Sequence, residues 1–351
     1  MPVVGQREPE KIAAVLERWL ASRLEVDRVE VSDLIIPQSS GFSNETFLLR
    51  ARWDGRGAVP LVLRSQPQTH TLFPEIDLVQ QQYLSMKLLG EHSNVPVPKV
   101  LWAERDTQVL GQPFFVMERL EGDVPGDHPP YTTAGFVFEM DPKIRRQWHQ
   151  NAVEAMTRVG RVDWRAAGFQ HLDKSHHGPL GPAQRQGYFR SFLQWATKGE
   201  PHWVAHPAFE RLLARWPDDG DHIDLCWGDA RPGNQMFRGT EVIGVFDWEM
   251  VSLGNCESDL GWWLFLQRYS TDGVGAALPE GMLSAAETIA RWESHMGRPA
   301  KHVDFYEQLA GFHFTLVMIR LAEMMGFADM AVNNPVADIT ASLLGIARPS
   351  A

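Results

Sequence analysis

Asp229 and Asn234 stand five positions apart in the stretch LCWGDARPGNQMF, and Asp247 follows in EVIGVFDW. An acid, the basic Arg231 and a carboxamide thus share one tight turn between apolar runs. A plain hairpin loop needs Pro232, Gly233 and Asn234 for its bend, but neither an acid at the strand end nor a cation two residues later. Asp and Asn oxygens are hard ligands suited to Mg2+. A further carboxylate beside such a shell is ionised at neutral pH and can take a proton from a hydroxyl. Spacing alone is weak, since Asp-x-x-x-x-Asn arises by chance about once in a chain of this length. The setting strengthens it: the first acid leaves one strand, the Asn starts the next, and the second acid ends a third. A β-hairpin would bring all three together; a capped turn is the competing reading.

The elements that would position these residues follow from periodicity. KIAAVLERWLASRL spaces its apolar residues as a helix, while VEVSDLIIP, TFLLRARW and PLVLRSQ read as strands. IDLVQQQYLSMKLLGEH predicts a helix ending near Gly90, then extended NVPVPKVLWAE and a strand at FFVMERL. EGDVPGDHPPY, dense in Pro and Gly, marks a boundary. Beyond it helices dominate. DPKIRRQWHQNAVEAMTRVGRV carries an Asp cap and a first-turn Pro, and helical patterns recur near 184–199, 206–216, 257–268, 283–297 and 303–328. Two short strands, IDLCW and EVIGVFDW, flank the turn with the acid. The class is α+β.

Composition limits the partners. With 351 residues the chain is long enough for two lobes. A net charge of −11 argues against a nucleic-acid binder. Two cysteines, Cys226 and Cys256, imply no disulfide framework, and a reducing cytoplasm is expected. The start MPVVGQREPEK lacks the apolar core of a secretion signal. FHFTLVMIRLAEMMGF is cut by Arg320 and Glu323, so a buried helix is expected there and no membrane partner. His171, His176 and His177 in HLDKSHHGPLG invite a metal reading, but no Cys or paired carboxylate nearby completes a ligand set, so a solvated loop is expected. The sequence carries no sign of oligomeric state.

WGDARPGN followed by VFDWEMVSLGNCESDLGW resembles the aminoglycoside phosphotransferase-like kinases. Their usual pattern is His-Gly-Asp-x-x-x-x-Asn, then Asp-Trp-Glu, then a downstream Asp-Leu. The resemblance is to the Asp-Trp-Glu branch, which includes kinase-like domains attached to some acyl-CoA dehydrogenases, and it runs from about Ile35 to the C-terminal helices. It implies a two-lobed, protein-kinase-like α+β fold. Residues 1–120 would form a nucleotide-binding lobe, an antiparallel sheet with one main helix. Residues 121–351 would form a mostly helical lobe carrying the catalytic loop and acceptor site. The implied reaction moves the γ-phosphoryl of ATP or GTP to a hydroxyl of a small molecule, aminoglycoside-like or hydroxyacyl in type, with Mg2+.

By motif position, Asp229 matches the catalytic acid and Asn234 and Asp247 the two metal positions. Arg231 stands where protein kinases often carry a Lys and would meet the transferred phosphate. In SSGFSNETF, Ser40, Gly41, Phe42 and Ser43 match the nucleotide loop, where a Gly-Ser hairpin is the alternative. Arg64 falls at the strand cation that neutralises phosphate, unless it is an exposed edge-strand Arg. The backbone from Glu118 to Leu120 would bond the adenine edge. Asp259 would brace the catalytic loop, or serve as a helix N-terminal charge.

Four departures stand out. Trp227 replaces the usual His, Gln82 the usual Glu partner of the strand cation, and Gly160 a frequent His. Glu249 follows Asp247 as either a support to the metal or a helix-initiating charge. Glu75 or Asp77 could take the place of the missing Glu. Trp227 and Gln82 are the features that favour the alternative of a non-catalytic, kinase-like nucleotide or metabolite binder. Trp262, Trp263, Phe265, Trp292, Phe312 and Phe314 suit a partly apolar acceptor if they face the cleft, and a core if they do not.

Overall fold

The computed structural model describes residues 9–37, 44–55, 57–67, 71–218 and 222–349. Five strands, β1 (Glu30–Ile35), β2 (Glu45–Arg52), β3 (Val59–Ser65), β4 (Val100–Glu104) and β5 (Phe114–Glu118), form one sheet in the order β1-β2-β3-β5-β4. Every neighbouring pair is antiparallel. The alternation of side chains gives the sheet two apolar faces. Phe47, Leu49, Leu61, Leu63, Phe114 and Val116 face the helix Pro9–Leu24, which buries Ile12, Leu16, Trp19 and Leu20 against them. Val62, Phe115 and Met117 turn the other way, onto Leu78, Met86 and Leu89 and the helical half of the molecule. The helix foreseen over 76–92 begins as a π-helical turn, Val79–Tyr83, and continues as Leu84–His92.

The helical half is built around Pro142–Gly160, Pro182–Thr197, Glu257–Ser270 and Val303–Met325. Asp141 caps the first of these, accepting from the Lys143 amide at 2.9 Å, with Pro142 in the first turn. That helix ends on Gly160, where Cys256 packs so closely that a Cβ would lie 2.8 Å from the Cys256 Cβ. A final helix, Pro335–Leu344, was not foreseen from periodicity.

Two small hairpin-like ribbons complete the architecture. β6 (Asp224–Cys226) pairs with β9 (Ser252–Gly254), and β7 (Gln235–Arg238) with β8 (Glu241–Val245), both antiparallel. The β7–β8 hairpin also fastens the rest of the chain. Asp123 and Phe237 exchange backbone hydrogen bonds of 2.8 Å each, and the Val245 amide donates to the Pro96 carbonyl at 2.7 Å. Gly122 lets that first contact close, since a Cβ there would sit 2.5 Å from the Phe237 carbonyl oxygen. No helix among the described residues is long and apolar enough to cross a membrane.

Candidate active site

β6 ends at Cys226, and the chain turns through Trp227 and Gly228 to present Asp229. Gly228 has φ +94°, and an added Cβ would stand 2.3 Å from the Met250 carbonyl oxygen, so the turn demands glycine. Asp259 holds the turn from below: its two carboxylate oxygens accept the Trp227 and Gly228 amides at 2.8 Å each. Burial pushes the Asp259 carboxyl up to about 6, against the pull of those two amides. It also stands in the first turn of Glu257–Ser270, so both roles foreseen for it coincide. Trp227 is fully buried and donates its indole N–H to the Phe246 carbonyl at 2.7 Å, tying this turn to the residue before Asp247.

Three donors converge on the Asp229 carboxylate. Asn234 Nδ2 reaches Oδ2 at 2.6 Å and the Asp229 carbonyl at 3.1 Å. Arg231 Nε lies 3.2 and 3.1 Å from the two oxygens, and Trp262 Nε1 donates to Oδ1 at 2.8 Å. Arg231 is shared with Asp127, whose Oδ2 is 2.5 Å from Nη1. Burial works against the Arg231 charge, but the two carboxylates outweigh it and raise its pKa. The capped-turn reading of Asn234 thus has its contacts: the amide nitrogen is bonded within the loop, and Oδ1 takes no part in those bonds.

Asp247 follows β8 with its backbone in the left-handed region, φ 59°. The Phe246 amide donates to the Asn234 carbonyl at 2.9 Å, so the hairpin brings the two motif halves side by side. Asp247 Oδ1 is buried with no hydrogen-bond partner among the described residues, and Arg64 Nη2 is 3.6 Å away. Burial, reinforced by Asp229 and opposed by Arg64, raises the Asp247 pKa. A buried carboxylate oxygen with no hydrogen bond among the described residues, on the hairpin that also carries Asn234, fits a hard divalent cation, whose charge would offset that burial.

Arg64 lies on β3, a central strand, so the edge-strand reading fails. It shares a face with Val62 and so points at the helical half. Its partner is Asp247. Glu75 instead meets Lys174, His176 and His177, and Asp77 meets Arg105 at 2.9 Å. Gln82 is buried in the π-helical turn, and no bond joins it to Arg64 among the described residues. Glu249 accepts from Asn44 Nδ2 at 3.2 Å. Of the segment from Glu118 to Leu120, the Glu118 and Arg119 amides are already bonded, to Lys99 and Pro60; the Leu120 amide has no backbone partner among the described residues. Ser40, Gly41, Phe42 and Ser43 lie outside the described residues.

A pocket opens beside Gly228 and Trp262. Tyr188, Phe189, Met250 and Leu309 line it, with Arg185 and Lys174 as its cations. Of the six aromatic residues singled out from sequence, Trp263, Phe265, Trp292 and Phe312 are core, and Trp262 lines this pocket.

Residues 35–297 match the family model described as the phosphotransferase enzyme family. The chain belongs to that family. This phosphotransferase is 28% identical over 278 residues to the probable acyl-CoA dehydrogenase IBR3 of Arabidopsis thaliana, covering 74% of this chain and 32% of that protein. It is 31% identical to acyl-CoA dehydrogenase family member 11 of Gallus gallus, over 64% of this chain and 27% of that one. It thus spans about a third or less of the length of the curated relatives it matches. Among solved structures, a candidate aminoglycoside phosphotransferase of Ralstonia eutropha JMP134 matches with a TM-score of 0.69 at 22% identity, covering 96% of this chain and 99% of that one. A ternary complex of a thermostable aminoglycoside phosphotransferase APH(4)-Ia mutant with AMP-PNP and hygromycin B matches at 0.59 and 15% identity, over 94% and 98%. The fold is the two-lobed, kinase-like α+β fold, and the chain's family is that of phosphotransferase enzymes.

Proposed function

We propose that the chain moves the γ-phosphoryl of ATP or GTP to the hydroxyl of a small, partly apolar molecule. The observation that carries this is the buried Asp247 oxygen, without a hydrogen bond among the described residues and facing Arg64 at 3.6 Å, on the same hairpin as Asn234 and near Asp229. Asn234 and Asp247 would hold Mg2+, which supplies charge neutralisation for the phosphates. Arg64 would meet the α- or β-phosphate from β3. The Leu120 amide, which has no backbone partner among the described residues, would donate to the adenine edge, and residues 1–120 would carry the nucleotide. Asp229, fixed by Asn234, Arg231 and Trp262, takes the proton of the acceptor hydroxyl. That oxygen bonds to the γ-phosphorus as the bridging P–O bond breaks, giving a phosphate ester and a nucleoside diphosphate. Arg231, between Asp229 and Asp127, is placed to steady the transferred group as charge develops.

The pocket favours a hydroxyacyl acceptor over an aminoglycoside. A polycationic sugar needs several available carboxylates. Of the pocket's acids, Glu75 is held by Lys174, His176 and His177, and Glu249 is bonded to Asn44. Aromatic and aliphatic side chains form part of the walls, beside the polar Gln81, Gln184, Ser252 and Ser258, with Arg185 to receive an anionic end. The relatives are acyl-CoA dehydrogenase family members, which supports an acyl type of acceptor.

Calorimetric titration with ATP and with GTP, each with and without Mg2+, tests the nucleotide half. Magnesium-dependent binding that Asp247→Ala abolishes is the expected result. No binding at millimolar nucleotide would move the chain to the non-catalytic alternative. A screen of hydroxy acids, their acyl thioesters and aminoglycosides, with Asp229→Ala as the blank, tests the acceptor half.

A further inference from the structure

The histidines expected in a solvated loop are not solvated alike. His176 and His177 end a short turn, Ser175–His177, and their Nε2 atoms reach one oxygen, Glu75 Oε1, at 2.8 and 2.9 Å. Glu75 lies 101 and 102 residues earlier, which is why the missing carboxylate could not be seen from local spacing. We propose that Glu75, His176 and His177 form a zinc site that ties the segment before the π-helical turn to the helical half.

Two imidazoles and one carboxylate, with one position left for water, are an open zinc ligand set. The three ligand atoms all lie within 4.8 Å of one another, so a single ion spans them with small side-chain rotations. The surroundings orient two of the three ligands. Glu75 keeps Oε2 on Lys174 Nζ at 3.0 Å, which leaves Oε1 as a single donor atom. His177 sets Nδ1 3.4 Å from Ser191 Oγ, turning Nε2 to the site, and packs edge-on against Tyr188. The His177 side chain is 8% exposed and that of His176 61%, so one ligand is fixed and the other gives ions a way in.

A second cluster, Asp224, Cys256 and Glu257, does not compete. Arg298 already occupies it, bonded to Glu257 and 3.3 Å from Asp224.

The test uses the full chain stripped with chelator, then titrated calorimetrically with zinc chloride in excess Mg2+, which keeps hard-oxygen sites filled. One equivalent should bind, and Glu75→Gln and His176→Gln should each weaken it by about tenfold or more. Co2+ in place of zinc should give the visible absorption of a low-coordinate site, lost in both variants. His176→Gln alters an exposed side chain, and matching thermal unfolding of metal-free variant and parent shows that both are folded. No zinc uptake by the parent, or uptake unchanged in both variants, overturns the proposal and leaves a hydrogen-bonded contact only. None of these readouts depends on phosphotransfer.

Discussion

The indole of Trp262 donates to Oδ1 of Asp229 at 2.8 Å while its ring walls the adjoining pocket. One side chain thus aims the proposed base and walls the neighbouring pocket, which Gly228 also lines. A hydrogen bond to a charged group contributes about 1.5–3 kcal/mol. Trp262→Phe keeps the wall and loses the bond, so turnover should fall by about tenfold or more with nucleotide KM unchanged. Steady-state kinetics at saturating nucleotide checks this; an unchanged kcat would remove Trp262 from the positioning of Asp229.

Arg231 bridges Asp229 and Asp127 through different nitrogens. Lys cannot span both carboxylates. Arg231→Lys should therefore cut turnover by on the order of tenfold, whereas Asp127→Asn, at a half-exposed partner, should cost only a few-fold. Equal losses in the two variants would contradict this ranking.

Gly228→Ala should be costly to the fold itself. The new methyl carbon would meet the Met250 carbonyl oxygen at 2.3 Å on a backbone with φ +94°. Strain of this kind costs about 2–4 kcal/mol. Differential scanning calorimetry should show a melting temperature lower by several degrees, and a variant melting with the parent would mean that the loop rearranges freely.

Acid stability should depend on two buried histidines. Burial holds both His149 and His313 down at about 3, from an ordinary 6.5. The unfolded chain takes up these protons first, so their contribution is complete above 6.5 and is lost as pH falls toward 3. By pH 5 the loss is about 2 kcal/mol for each. Urea unfolding between pH 7 and 5 should show a shallower decline in His149→Gln/His313→Gln than in the parent. An equally steep decline would place the acid sensitivity elsewhere.

The parts legible in the sequence were those made by neighbours along the chain. Asp229, Asn234 and Asp247 meet because a short hairpin joins them, and turn chemistry with strand periodicity is enough to foresee that. The strands of the sheet and the capped helix behind Asp141 were legible for the same reason. Contacts that packing makes between distant segments left no local trace. Asp127 on Arg231, Trp262 on Asp229 and Glu75 on the two histidines all belong to this class. Periodicity could not separate Trp262 from Trp263, because adjacent positions on a buried helix are both apolar and only the geometry of the neighbouring loop makes one of them polar in use.

The β7–β8 hairpin holds both Pro96 and Asp123. These two points lie on the β4–β5 side of the sheet, one just before β4 and the other just after β5. The sheet is thus fastened to the helical half at its β4–β5 edge, while Asn44, just before β2, makes a second tie through Glu249. Arg64, on the strand between these two ties, is held at a fixed reach from Asp247, 3.6 Å in this structure.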